Sequence, residues 1–441
     1  MNPIVIVGGG LSGLAAAVRC SSRNHPVLLL EQKPVLGGRA YSFVDAATGD
    51  TVDNGQHLLI AGYERTMAFL SLVGSGGLLD IQPHPELLFH HPEKGFQRFS
   101  VPSLPTPFNL AAGILSSGLF SIDDRFRLLR AGLAVWRSRV RSWSGLTIAQ
   151  WLERCGQTPE LRRSFWEPLA VSIMNESTVC ASASVFLSAL RTAFLGSRRA
   201  AALAFPRAGL SDLFAEPARR FVEGRGGVVR CRCEVEELRV ENGLIAGIRM
   251  RGGDPAVAAA CILAVPPSNA AALAPFLHLD QPERAAASPI VSVHLWFAAD
   301  VMPHKFLGVI GRTVQWMFNR RLLVPSARED GHISAVISAA HDIVKLENDE
   351  IVRIVVKDLR SVYGAQIPEP LRSLVIREKK ATISLTPDLT GARPGVVTAI
   401  PNLYLAGDWT DTGYPATIEG AILSGERAAD LAIEQLAPIS R

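Results

Sequence analysis

The stretch that decides the fold stands at the start of the chain: Pro3-Ile4-Val5-Ile6-Val7, then Gly8-Gly9-Gly10-Leu11-Ser12-Gly13, then Leu14-Ala15-Ala16-Ala17-Val18-Arg19. The β-branched run predicts a buried parallel strand, and the alanine-rich run, apolar at helical spacing, predicts a helix. Between them Gly8, Gly10 and Gly13 fill G-x-G-x-x-G, with Leu11 and Ser12 in its last two open places. One glycine allows the tight turn, one lets backbone N–H groups approach a pyrophosphate, and one lets the helix pack on the sheet. The phosphates of a dinucleotide would lie on the helix N-terminus, at its positive end.

A second apolar run, Pro26-Val27-Leu28-Leu29-Leu30, ends in Glu31-Gln32. A carboxylate at this distance accepts hydrogen bonds from a ribose 2′-OH and argues against a 2′-phosphate. Glycine-rich turns are common, so the glycines alone also fit a tight βα turn without a ligand. Strand, turn, helix and acid in this order predict a nucleotide site.

With 441 residues the chain is long enough for two lobes, each with its own core. The formal net charge is +4 and the basic residues are dispersed, so nucleic acid is not predicted as a partner. The six cysteines form no C-x-x-C pair and no metal-ligand spacing, which predicts reduced thiols, a cytoplasmic setting and no metal site. The N-terminus opens on a core strand rather than on a charged region, an apolar stretch and a cleavage site, so export is not expected. No run of about 18 uncharged apolar residues predicts a membrane-spanning helix. A mean hydropathy of +0.20 nevertheless points toward greasy ligands or a membrane surface.

After Glu31 comes Leu36-Gly37-Gly38-Arg39-Ala40, where Gly38 permits close approach and Arg39 supplies charge for a phosphate. Here the chain resembles FAD-dependent amine oxidases and carotenoid desaturases, which share a glutamate-ended second strand followed by Gly-Gly-Arg. The likeness continues in Asp53-Asn54-Gly55-Gln56-His57-Leu58 and in Asn402-Leu403-Tyr404-Leu405-Ala406-Gly407-Asp408. It implies that Gly55, Gln56, His57 and Leu58 pass under a flavin, and that Gly407 and Asp408 meet ribityl or pyrophosphate oxygens. The run from Tyr414 to Gly425 predicts a helix with Pro415 near its first turn. In the family that helix aims its N-terminus, around Ile418, at the flavin pyrimidine, where a positive helix end favours an anionic reduced ring.

The two ends of the chain thus share one cofactor, and what lies between them is inserted. The resemblance implies an α/β fold, with a Rossmann-like FAD-binding domain of glutathione-reductase type and an inserted α+β substrate domain. We expect residues 1–81, 205–287 and 381–441 in the first, and 82–204 and 288–380 in the second. Within the returning segment Glu241-Asn242-Gly243 predicts a hairpin turn. The resemblance alone brings backbone at Val235 to the adenine.

Residues 104–143 are unusual. A nearly uncharged run through Phe120 precedes Asp123 and Asp124, and then Arg125, Arg127, Arg130, Arg137, Arg139 and Arg141 interleave with Phe126, Leu128, Leu129, Leu133, Val135 and Trp136. Such a pair fits an apolar helix followed by an arginine-rich amphipathic one lying in an anionic membrane surface. It fits equally a helix hairpin covering the other lobe with a solvated basic face.

Two narrower stretches, residues 165–187 and 407–420, resemble one subgroup, the hydroxysqualene dehydroxylases or squalene-associated FAD-dependent desaturases. Met174-Asn175-Glu176 departs from the Leu-Asn-Thr of that subgroup. The subgroup implies FAD, a long triterpenoid substrate and reduction of an allylic alcohol in hopanoid or triterpenoid biosynthesis; no cysteine lies in Gly407 to Gly425, though His57 is near, so the FAD is expected to be non-covalent. The departing hydroxide needs a proton, and Glu167, set between Phe165-Trp166 and Pro168-Leu169, is a candidate acid that burial would make easier to protonate. A glutamate that merely starts a helix near Pro168 explains the same text. A phytoene-type desaturase would run hydride the other way, and an FAD-containing lipid carrier or assembly subunit needs no reaction. Gly74-Ser75-Gly76-Gly77 and Gly224-Arg225-Gly226-Gly227 lack a strand-turn-helix context, so no second dinucleotide site names an electron donor.

Overall fold

The computed structural model describes residues 2–137, 143–195, 200–279, 287–325 and 331–436. Arg139 and Arg141 lie outside them.

Five parallel strands form the first sheet, in the spatial order Val228–Arg230, Val27–Leu30, Ile4–Val7, Ala260–Leu263 and Leu403–Leu405. The opening strand is central and apolar at every position because both faces are covered. Ile4 and Ile6 pack under helices Leu11–Ser22 and Ile418–Leu436, whereas Val5 and Val7 pack against Leu238, Ile245 and Ile248. Those three belong to the hairpin Val235–Glu241/Leu244–Met250, whose turn has Asn242 and Gly243 at positive φ, as the sequence predicts. The first and last helices touch backbone to backbone, since a Cβ on Gly425 would lie 2.0 Å from the Ser12 carbonyl oxygen. Arg19 and Asp430 add a two-pronged ion pair, at 2.7 and 3.0 Å.

The second sheet has seven strands, in the order Arg372–Ile383, Ala287–Phe297, Gly331–Ile337, Trp316–Asn319, Phe306–Val309, Glu86–His91 and Gly95–Ser100. Strand Ala287–Phe297 shows why it has two kinds of face. Val291, Val293, Leu295 and Phe297 pack with Ile351, Val355 and Leu359 of helix Asn348–Tyr363, while Ser292, His294 and Trp296 point the other way. A smaller sheet joins Leu203–Pro206 to Leu59–Ile60 and Leu79–Ile81. The boundaries expected after residues 204 and 380 therefore fall inside strands, Leu203–Pro206 and Arg372–Ile383.

Helices Phe108–Ser116, Ile122–Arg137, Glu167–Met174 and Ala183–Leu195 roof the space between the sheets. No helix among the described residues is long and apolar enough to cross a membrane.

Candidate functional site

One continuous cavity of about 1600 Å³ runs between the two sheets, larger than the ~300–1,000 Å³ of an ordinary small-molecule site. Of the residues singled out by sequence, Gly8, Gly10, Leu11, Ser12, Glu31, Gln32, Gly38, Arg39, Gly55, Gln56, His57, Leu58, Val235, Gly407, Asp408 and Ile418 all line it. Gly13 lies behind the wall, where a Cβ would stand 1.9 Å from the Gly8 carbonyl oxygen. Its role is the close packing of helix on strand.

The glycine turn is built to receive an anion. Helix Leu11–Ser22 starts at Gly10 with no side chain capping its first amides, and the nearest atom to a Cβ at Gly10 would be Gly38 Cα at 3.9 Å. Open N–H groups at a positive helix end, with room in front of them, suit phosphate oxygens. Glu31 borders the same turn: its carboxylate accepts from the Gly9 amide at 2.7 Å and the Lys33 amide at 2.8 Å, which leaves acceptor capacity for a ribose hydroxyl. Arg39 donates to Asp408 at 2.6 Å and to the Ala381 carbonyl. Gly407 has φ +151°, and a Cβ there would meet the Trp409 ring at 2.4 Å, so the turn into Asp408 requires glycine. The cradle fits an extended dinucleotide that bears a ring system at one end.

The last helix begins at Ile418 rather than at Tyr414. Pro415 cannot donate an amide, and Arg393 takes up the carbonyls of Asp408 and Tyr414 at 2.8 and 2.7 Å, holding residues 408–414 as a loop. Ile418 thereby becomes the first helical residue and still faces the cavity.

Beneath Gly55 a buried hub fixes the segment that follows the Thr51–Asp53 strand. Arg320, 1% exposed, donates to Asp53 at 2.9 Å and to the Gln56 side-chain oxygen. Asp53 also accepts from Ser42 and from the Leu210 amide. Arg320 lies 267 positions from Asp53, and no local pattern announces it. His57 Nδ1 stands 2.7 Å from the Gly55 carbonyl oxygen, and burial pushes the imidazole pKa down, with Asp53 opposing and Arg39 reinforcing the shift.

The far half of the cavity is hydrocarbon. Phe99, Phe165 and Trp166 line it, and edge-to-face packing locks them: Phe120 meets Phe165 at 5.4 Å, and Phe165 meets Trp166 at 5.0 Å. Glu167 does not line this chamber. It starts helix Glu167–Met174 and its carboxylate accepts from the backbone and hydroxyl of Thr178. Of the two readings of Glu167, an acid beside the substrate or a glutamate that starts a helix near Pro168, this placement favours the second: Thr178 holds the carboxylate, while Pro168 and Leu169 line the chamber. Asn175, in the left-handed region at φ 48°, does reach the cavity, and its side chain ties Ser288 to Thr382. Glu176, at the divergent position, is buried and bound by Ser384 and His341.

The family model of flavin-containing amine oxidoreductases matches residues 11–433. A hydroxysqualene dehydroxylase of Sinorhizobium fredii is 32% identical, over 98% of both chains, and one of Rhodopseudomonas palustris 31%, over 97% of both. A 15-cis-phytoene desaturase of Synechococcus elongatus is 23% identical, over 99% of this chain and 97% of its own. Among solved structures, an oxidoreductase from Methanosarcina mazei superposes with a TM-score of 0.74 at 17% identity, over 97% of this chain and all of that one. With the cradle and the chamber it leads into, these likenesses settle the kinship: the chain belongs to the flavin-containing amine oxidoreductase family, within the branch of the hydroxysqualene dehydroxylases.

Proposed function

We propose that the protein is an FAD-dependent hydroxysqualene dehydroxylase, reducing the allylic alcohol to squalene in hopanoid or triterpenoid biosynthesis. The observation that carries the reading is the continuity of the cavity, which joins a dinucleotide cradle to an aromatic hydrocarbon chamber without an intervening wall. Reduced FAD supplies the hydride, and the electrons reach it from a donor outside this chain.

The chain's own residues do the rest. Gly10, Leu11 and Ser12 present amides to the pyrophosphate, Arg39 balances its charge beside Asp408, and Glu31 receives the ribose. Val235 lies where adenine would be met, and Gly55, Gln56, His57, Leu58 and Ile418 border the ring. Phe99, Phe165 and Trp166 enclose the hydrocarbon chain and keep bulk water from the chamber; the reacting carbon takes the hydride and the oxygen leaves as water, taking up one proton. Residues 82–204 and 288–380 supply most of this substrate lobe. FAD is held without a covalent bond: Cys233, the cysteine that lines the cavity among the described residues, lies at the Val235 end, and His57, which borders the ring, has Nδ1 engaged by the Gly55 carbonyl. The protein works in the cytoplasm, on the inner face of the membrane, where helices Phe108–Ser116 and Ile122–Arg137 meet anionic lipid at the chamber's mouth.

Direction of electron flow separates this reading from a phytoene-type desaturase, whose sequences are also similar over the whole chain. Anaerobically photoreduced enzyme mixed with hydroxysqualene should regain its yellow colour and yield one squalene per flavin. Bleaching of oxidised enzyme by phytoene, with no turnover of the alcohol, would assign the desaturase instead.

A further inference from the structure

The hydrocarbon chamber must tell an alcohol from the hydrocarbon that differs from it by one oxygen. Among the described residues, two buried hydroxyls on the inner face of the seven-stranded sheet have no hydrogen-bond partner, Ser292 Oγ and Ser334 Oγ. Of these residues only Ser292 lines the cavity. It is 1% exposed, and its Oγ lies 3.5 Å from the point a Gly55 Cβ would occupy, with His57 Cε1 3.9 Å from the same point. Gly55 thus leaves a niche bounded by a hydroxyl and an imidazole.

The donor and acceptor roles in the niche follow from its neighbours. A carbonyl oxygen only accepts, so the contact between His57 and Gly55 places the hydrogen on Nδ1. Burial keeps the ring neutral, which leaves Nε2 with a lone pair. The charges that act on it are Asp53, already paired with Arg320, and Arg39. Ser292 can turn its O–H outward. An alcohol buried in hydrocarbon needs an acceptor for its proton and a donor for its oxygen, and a site built for both rejects a ligand that has neither.

Granting the dehydroxylase reading, we propose that Ser292 Oγ and His57 Nε2, across the gap left by Gly55, bind the substrate hydroxyl and so fix which carbon–oxygen bond faces the cofactor. The two are specificity-determining residues. In binding, Ser292 donates a hydrogen bond to the hydroxyl oxygen and His57 accepts one from its O–H, with no proton changing hands, while the arginine clamp on Asp53 and Gln56 keeps the segment in place.

The test uses oxidised holoenzyme, which binds but cannot reduce the alcohol. Hydroxysqualene and squalene are titrated in detergent micelles while the flavin absorption band is followed. The wild type should bind the alcohol at least about tenfold more tightly, and Ser292→Ala should cut that preference to about twofold, the scale of one hydrogen bond, without changing the affinity for squalene. FAD content and visible spectrum of the variant should match the wild type. His57→Leu, which also alters a residue bordering the ring and is therefore compared at equal FAD occupancy, should also erode the preference. Equal affinity of the wild type for the two ligands, or a preference that survives both substitutions, overturns the niche. Neither outcome touches the dehydroxylase reading, which falls on the separate turnover of reduced enzyme.

Discussion

Arg39 Nη2 lies 2.6 Å from Asp408 Oδ1, joining segments 369 positions apart in the chain. The same guanidinium donates to Ala381 at the end of the seven-stranded sheet, so one side chain ties together three walls of the cradle. Removing it would leave the Asp408 carboxylate facing the dinucleotide phosphates without its hydrogen-bonded counter-charge. Arg39→Met should weaken FAD retention by about 10- to 100-fold, the range for losing a charged hydrogen bond, measured as Kd and as flavin-to-protein ratio after desalting. Adding Asp408→Asn should recover part of the loss. Undiminished FAD binding in Arg39→Met would remove the pair from the cofactor site.

Two glycines of the opening turn should fail in different ways. Ala at Gly13 would drive a methyl group into the Gly8 carbonyl, 1.9 Å away, so Gly13→Ala should misfold or melt well below the wild type. At Gly10 the backbone has φ −72° and nothing lies closer than 3.9 Å. Gly10→Ala should therefore keep its circular dichroism and melting temperature yet lose FAD, because the methyl occupies the approach to the helix amides. Equal melting temperatures for the two variants would contradict this division of roles.

How far the sequence could be read depended on how local each signal was. The nucleotide turn was legible because strand, glycines, helix and Glu31 follow one another within 31 residues, so their order alone carries the geometry. Arg320 and Ser292 were not: each sits in an ordinary strand-like or short helical context, and its neighbours in the Asp53–His57 segment are brought to it only by the tertiary fold. The sequence leaves two readings of Glu167 open for a related reason. Its aromatic neighbours do surround the chamber, but a helix sends adjacent side chains in different directions, and this one points to Thr178. Glu167→Gln should accordingly slow reoxidation by less than tenfold, against the ~100-fold loss of a general acid, measured in the photoreduced single-turnover experiment.

His294 and His332 should set the acid limit of stability. His294 Nδ1 and His332 Nε2 are 3.0 Å apart in almost fully buried rings, and burial, with Arg320 nearby, lowers both pKa values to about 3. Asp53 and Asp45 oppose this without reversing it, and Asp50 accepts from Trp296, which stacks on His332. In the unfolded chain each ring titrates near pH 6.5, so between about pH 6.5 and 3 the unfolded state binds more protons. Stability is complete above pH 6.5 and declines as the pH falls through that window. A melting series should show the loss, and His294→Asn, which removes one titrating ring, should shallow its slope. An identical slope would place the acid sensitivity elsewhere.

The last prediction concerns helix Ile122–Arg137, which carries two apolar stripes where a surface helix needs one. Leu128, Ala131 and Val135 are buried in the core, whereas Ile122, Phe126, Leu133 and Trp136 stay 71, 64, 45 and 54% exposed. Positions 122, 126, 129, 133 and 136 step by four and three residues along one face, and Leu129, Leu133 and Trp136 also line the cavity. Phe108, 68% exposed, adds to this rim from the preceding helix. A chamber whose rim is greasy on both sides can draw a hydrocarbon from a bilayer without passing it through water. Arg130 and Arg137, exposed beside the stripe, would add about 1 kcal/mol each near anionic lipid, an increment that fades as salt shortens the Debye length. Arg125 is a poorer probe, because it donates to the Ser117 carbonyl and so holds the two helices together. In sedimentation with phosphatidylserine vesicles, Arg130→Glu with Arg137→Glu should abolish the salt-sensitive part of binding, and Phe126→Ser with Trp136→Ser the part that survives high salt. If all four substitutions leave sedimentation unchanged, the pair of helices is a cover for the chamber with a solvated basic face, and the substrate enters by another route.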